Sequence, residues 1–162
     1  MDQLASWSEF NIAMAGAAAA LAGLVIVAAS VNITQVVKAR SVTARLAAGI
    51  ATLVLAITAS GLGLVPEISM AWYGAVLTVA TLVAAVFQVH AARVVFGDRD
   101  HRNRQRFLKG SVGGLPLLAY LAAGVLVLVG HPAGLVFAAV GCLAAIATAI
   151  IISWVALVEV LR

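Results

Sequence analysis

Residues 10–37 read FNIAMAGAAAALAGLVIVAASVNITQVV, a run without one charged side chain. About 18 or more apolar residues suffice to cross a bilayer as a helix. The run also lacks the alternation of a membrane β-strand, so it predicts a transmembrane helix. Four runs of the same kind follow, at 46–65, 70–96, 112–129 and 133–161. No Arg, Lys or Asp interrupts the middle of any of them. One such residue at the centre costs about 2.5–3.5 kcal/mol, whereas each Leu, Ile, Val or Phe gains about 0.3–0.6. The expected fold is therefore all-α, an integral membrane bundle of five transmembrane helices forming a single domain over residues 1–162.

Composition points the same way. Of the 162 residues, 64% are hydrophobic and 10% charged, against about 45–50% and about 25% in soluble domains. That balance leaves too little polar surface for a soluble enzyme, a disordered tail or a disulfide scaffold. The single cysteine, Cys142, forms no intrachain disulfide, and no Cys/His cluster suggests zinc. A net charge of +4 would suggest nucleic acid in a soluble chain. Here the bases lie between apolar runs without an aromatic platform, so no nucleic-acid partner is expected.

The breaks between runs carry helix-ending residues. Lys38-Ala39-Arg40-Ser41 closes the first run, Pro66-Glu67 the second, and Gly130-His131-Pro132 makes a tight turn before the fifth. Residues 97–111 form a basic loop. Pro116 costs little if it lies in a first helical turn and kinks the helix if it lies deeper. All ten Lys and Arg residues sit at alternate ends of the helices, while Asp2, Glu9 and Glu67 sit at the others. The positive-inside rule then predicts an outer amino terminus, a cytoplasmic carboxyl terminus and a cytoplasmic 97–111 loop. Trp7, Phe10, Trp72 and Tyr73 fall at outer boundaries, and Phe96, Phe107 and Trp154 toward the inner one, where amphipathic rings are favoured. The tail ahead of the first run is acidic, unlike a signal peptide, so that run is expected to remain in the mature protein.

Helices in lipid associate through small side chains that allow close van der Waals contact. In the first helix Ala15, Ala19 and Gly23 form one ridge, with Gly16 and Ala20 beside it; in the fifth, Gly141, Ala145, Ala149 and Ser153 form another. These faces either pack within one chain or meet copies of the chain or a larger membrane partner.

Polar residues gather near the inner boundary: Asn32, Gln35, Gln88, His90 and Glu159, with Ser153 at the same depth. They read either as hydrated interfacial residues or as a polar vestibule in which His90 changes charge near neutral pH. Mid-span hydroxyls such as those of Thr52, Thr58, Thr78 and Thr81 need no function, because they can bond back to their own helix. No ionisable residue suited to a proton relay lies mid-span, and no nucleophile, metal or phosphate-loop motif is present. The expectation is a non-enzyme without cofactor or metal. Arg99, Arg102, Arg104, Arg106 and Lys109 read as a topology signal or as a patch for anionic lipid.

Trp7-x-x-Phe10, Gly16-Ala17-x-Ala19-Ala20-Leu21-x-Gly23-Leu24 and Ser30-x-Asn32, with the ending Trp154-Val155-x-Leu157-Val158-Glu159-x-Leu161-Arg162, resemble a family of small bacterial membrane proteins. Members are generally of unknown function, and some are described as modulators of a membrane-bound AAA protease. The resemblance implies a multi-pass protein of the bacterial inner membrane. It covers the two ends of the chain; the Arg-x-x-Glu step often seen entering the second helix is here Arg45-Leu46-Ala47-Ala48. The sequence thus favours a non-catalytic accessory, regulatory or self-assembling component acting through helix packing. The alternative is a homo-oligomeric cation channel lined by the first helix, with Asp2 and Glu9 ringing its outer mouth.

Overall fold

The computed structural model describes residues 4–97 and 113–161, with side chains as far as Trp154. Among the described residues the chain is helical, with no strand. A 3-10 turn at Ala5–Trp7 leads into α1 (Ser8–Val31), α2 (Ile33–Lys38), α3 (Arg40–Leu62), α4 (Met70–Gly97), α5 (Gly114–Leu128) and α6 (Ala133–Leu161). Four of these, α1 with its leading turn, α3, α4 and α6, are long and apolar enough to cross a membrane. The fourth apolar run folds into a shorter helix. At 15 residues, α5 measures about 22 Å, less than the hydrocarbon core of about 30 Å.

The first two helices differ in extent from their sequence reading. The helix read as 10–37 breaks at Asn32, whose φ of −109° and ψ of 24° leave the helical region. Two polar side chains turn back onto the last turn of α1: Ser30 Oγ donates to Ile26 O (2.8 Å) and Asn32 Nδ2 to Ala28 O (3.2 Å). Such back-bonding competes with the helical ladder and bends helices. The connector read as 38–45 shrinks to Ala39, and α3 begins at Arg40. Thr43 closes this elbow by donating its hydroxyl to Val36 O at 2.7 Å, a carbonyl at the end of α2 that also accepts the N–H of Ala39. Val25, Val36, Val42 and Leu46 pack a small core inside the bend. Arg45 consequently lies in the second turn of α3 and is buried.

The turn between α5 and α6 is a Schellman motif. Gly130 has φ 74°, its N–H reaches Val127 O (3.0 Å), and the N–H of His131 reaches Leu126 O (2.8 Å), so the last carbonyls of α5 are satisfied. His131 Nδ1 then accepts the N–H of Ala133 at 3.2 Å, capping α6, with Pro132 needing no donor there. Pro116 falls in the first turn of α5, where its missing N–H breaks no helical bond.

In cross-section α3, α4, α5 and α6 form a ring in that order, closed by contact of α6 with α3; α1 lies outside it, mainly on α3. In the span-forming windows 61% of α3 is buried but only 17% of α1, so α3 is the central helix and α1 the peripheral one. The ring is drawn tight at glycines. A Cβ on Gly124 of α5 would collide with Thr78 Oγ1 of α4, and one on Gly141 of α6 would stand 3.1 Å from the ring of Tyr120, itself fully buried. Small residues thus let neighbouring helix axes approach, and van der Waals contact supplies the attraction. The start of α1, the 63–69 loop and the 129–132 turn share one end of the bundle, because Asn11 lies against Gly63 and Gly74 against Val127 and Leu128. The α2–α3 elbow, the end of α4 and the start of α5 share the other, where Gln88 lies against Gly113.

Gly141→Val, which drives two methyl groups into the Tyr120 ring, is expected to destabilise the bundle by about 1–3 kcal/mol. Gly61→Ala, with nothing within 4 Å of the added carbon, should not. Thermal unfolding in detergent micelles measures both; equal melting temperatures would contradict the packing described.

Candidate functional site

The small-residue faces of the two end helices have opposite fates. In α1, Asn11, Ala18, Ala22 and Val25 are buried and face the bundle. Gly16, Ala19, Ala20 and Gly23 are exposed and Ala15 is half-buried. No atom lies within 4 Å of a Cβ built on Gly16 or Gly23. Glu9, Gly16, Ala20 and Gly23 are separated by seven, four and three residues and so share one face. In α6, Gly141, Ala145 and Ala149 are buried inside the ring, and half-buried Ser153 donates to Ala149 O at 2.7 Å. The α6 ridge is occupied within the chain; the α1 ridge is open.

The inner-boundary residues are spread over several surfaces. Asn32 is turned onto its own helix, and Gln35 is exposed. Gln88 packs its carboxamide against Gly113 with Oε1 buried and unpartnered among the described residues. His90 is exposed on α4, bordering a groove between α3 and α4. No hydrogen bond joins these four to one another among the described residues. Glu159 lies on α6 with its side chain outside the described residues, as do Asp2 and the whole basic set Arg99, Arg102, Arg104, Arg106 and Lys109.

Sequence reasoning did not assemble the group that the fold brings together at the opposite end. Asn11 of α1, Ser60 of α3, Tyr73 of α4 and Cys142 of α6 line a cavity of about 10 Å³, room for about one water molecule. Trp7 and Phe10 cover it, their rings edge-to-face at 5.7 Å and 87°. Ser60 Oγ and Cys142 Sγ are 3.9 Å apart. The Tyr120 hydroxyl is buried beneath them without a conventional partner among the described residues. Depth alone did not group them: Asn11, Ser60 and Tyr73 sit near the same end of their helices, whereas Cys142 lies nine residues into α6 and reads as mid-span. Which way each pointed depended on contacts between helices. The cavity is too small for an organic substrate, and no group of His, Cys, Asp or Glu able to hold a metal occurs among the described residues. The polar contact between helices in this set is Ser60 to Cys142, joining α3 to α6, while Asn11 and Tyr73 line the same small pocket from α1 and α4.

The mid-span hydroxyls are accounted for locally. Thr52, Thr58, Thr78 and Thr81 each donate to the carbonyl four residues earlier, at 2.7–2.8 Å. No protein-family model, curated protein or solved structure matches the chain.

Among the described residues the Tyr120 hydroxyl faces only the Cys142 thiol, a weak hydrogen-bond partner, so removing the hydroxyl relieves much of a desolvation cost of about 1–3 kcal/mol. Tyr120→Phe is therefore expected to leave the unfolding midpoint in detergent unchanged or raised, and a lowered midpoint would show that the hydroxyl is paired.

Proposed function

We propose that this chain is a non-catalytic, multi-pass protein of the bacterial inner membrane, working as an accessory or regulatory component through association of its α1 face with copies of itself or with a larger membrane protein. In this reading α5 is the fifth crossing, the amino terminus is outside and the carboxyl terminus cytoplasmic. α4 and α6 flank α5, and its exposed face carries Leu115, Leu118 and Val125, as that of a lipid-facing helix does. Orientation follows the charges: among the described residues Lys38, Arg40, Arg45 and Arg93 stand at one end, and Glu9 and Glu67 at the other.

The observation that carries the association is the emptiness around Gly16 and Gly23. A helix held on one side only, with glycine and alanine on the other, offers the close approach by which helices pair in lipid. The same emptiness makes the test clean. A Cβ at either position meets nothing among the described residues and both positions are exposed, so Gly16→Leu and Gly23→Leu should keep the fold and melting temperature while the particle in mild detergent falls to the monomer mass or loses its partner. Variants that keep the parental mass, or a parental protein that is already a lone monomer in every mild detergent, would contradict the proposal.

A pore is the second reading, favoured by Glu9, which is exposed on the same face at its outer end. A ring of α1 helices would place these carboxylates at the mouth, where they select cations. Reconstituted vesicles should then pass cations, less selectively with Glu9→Gln. Vesicles that stay tight restrict α1 to association.

A further inference from the structure

The outer surface between α3 and α4 carries a groove that neither the α1 face nor the polar cluster explains. Two cavities, of about 530 Å³ and about 480 Å³, lie end to end between α3 and α4 and share Ala47 and Phe87. Both open to the outside of the bundle. The upper part is apolar, walled by residues such as Ile50, Val54 and Val83, and its one hydroxyl, on Thr58, is already bonded to Val54 O. The lower part changes character. Arg40 reaches it from the first turn of α3 and His90 from α4, with Thr43 between them. Thr43 is committed to Val36 O. Arg40 and His90 are exposed, and neither makes an ion pair or hydrogen bond among the described residues. Among the described residues, no acidic side chain lines either part.

An apolar trough with a cationic end has the polarity of a phospholipid. From Arg40 to Thr58 the lining runs about 27 Å along α3, most of a hydrocarbon core of about 30 Å, so an acyl chain fits along it with the cationic end near one membrane surface. We infer that the α3–α4 groove holds one phospholipid with an anionic headgroup, its phosphate at Arg40 and His90 and an acyl chain along Ala47, Ile50 and Phe87. A second helix is a poorer fit, because it would have to cover an arginine that has no counter-charge among the described residues. The inference rests on α3 and α4 spanning the bilayer and is independent of the α1 face.

Native mass spectrometry of the full chain, released from micelles doped with equal phosphatidylglycerol and phosphatidylcholine, tests it. The expected result is one retained phosphatidylglycerol per chain, preferred by about fivefold or more, the ratio that one basic residue near a headgroup gives. Arg40→Gln with His90→Gln should abolish the preference, and Ala51→Trp, which fills the trough, should abolish retention of either lipid. Gly16→Leu should retain lipid as the parent does, so failure of the α1 proposal and of this one are separable. Equal retention of the two lipids, a preference surviving the double substitution (which would move the site to the 97–111 segment), or a trough variant that loses oligomer mass in place of lipid would each overturn the assignment.

Discussion

A hydrogen-bonding group with no water in reach must find its partner inside the chain. That constraint organises the backbone of this protein and the hydroxyls of its mid-span threonines. The described residues form no strand and leave no sheet edge. Hydroxyls in the middle of α3 and α4 return to carbonyls of their own helix. Where the ladder must end, local groups close it: Thr43 at the α2–α3 elbow, and the Gly130–His131 pair between α5 and α6. Once the backbone is satisfied within each helix, the helices are free to choose neighbours by shape.

Shape then divides the small residues into two classes. Gly124 and Gly141 are filled by Thr78 and Tyr120 of neighbouring helices, which lets short α5 sit deep between α4 and α6. Gly16 and Gly23 are filled by nothing among the described residues. One composition serves internal packing in α6 and leaves an unfilled surface on α1. The proposed association follows from that inequality, since a small-residue ridge gains dispersion energy only when another surface meets it.

The long apolar runs made the helical class and most helix extents legible: α4 and α6 occupy nearly the stretches that hydropathy marks. The α2–α3 junction was not legible, because Lys38, Arg40 and Arg45 mark a membrane side and say little about where a helix starts. Arginine is a good helix former, and α3 simply includes Arg40 and Arg45. The break at Asn32 rests on side-chain bonds to Ala28 and Ile26 that hydropathy does not register. Facing was the larger gap. Helices apolar on all sides carry no periodic signal, so the convergence of Asn11, Ser60, Tyr73 and Cys142 came from interhelical contacts such as Gly63 under Asn11. The buried ridge of α6 and the open one of α1 look alike in sequence for the same reason.

The central claim is that these helices cross a bilayer, with the 63–69 and 129–132 connections outside and the α2–α3 elbow inside. Single cysteines at Glu67, His131, Arg40 and Arg104, introduced one at a time with Cys142→Ser, can be labelled on intact cells by a maleimide that does not cross membranes. The account predicts that Glu67→Cys and His131→Cys react on intact cells, whereas Arg40→Cys and Arg104→Cys react only after lysis. Labelling of Glu67→Cys and Arg104→Cys in the same compartment would contradict it.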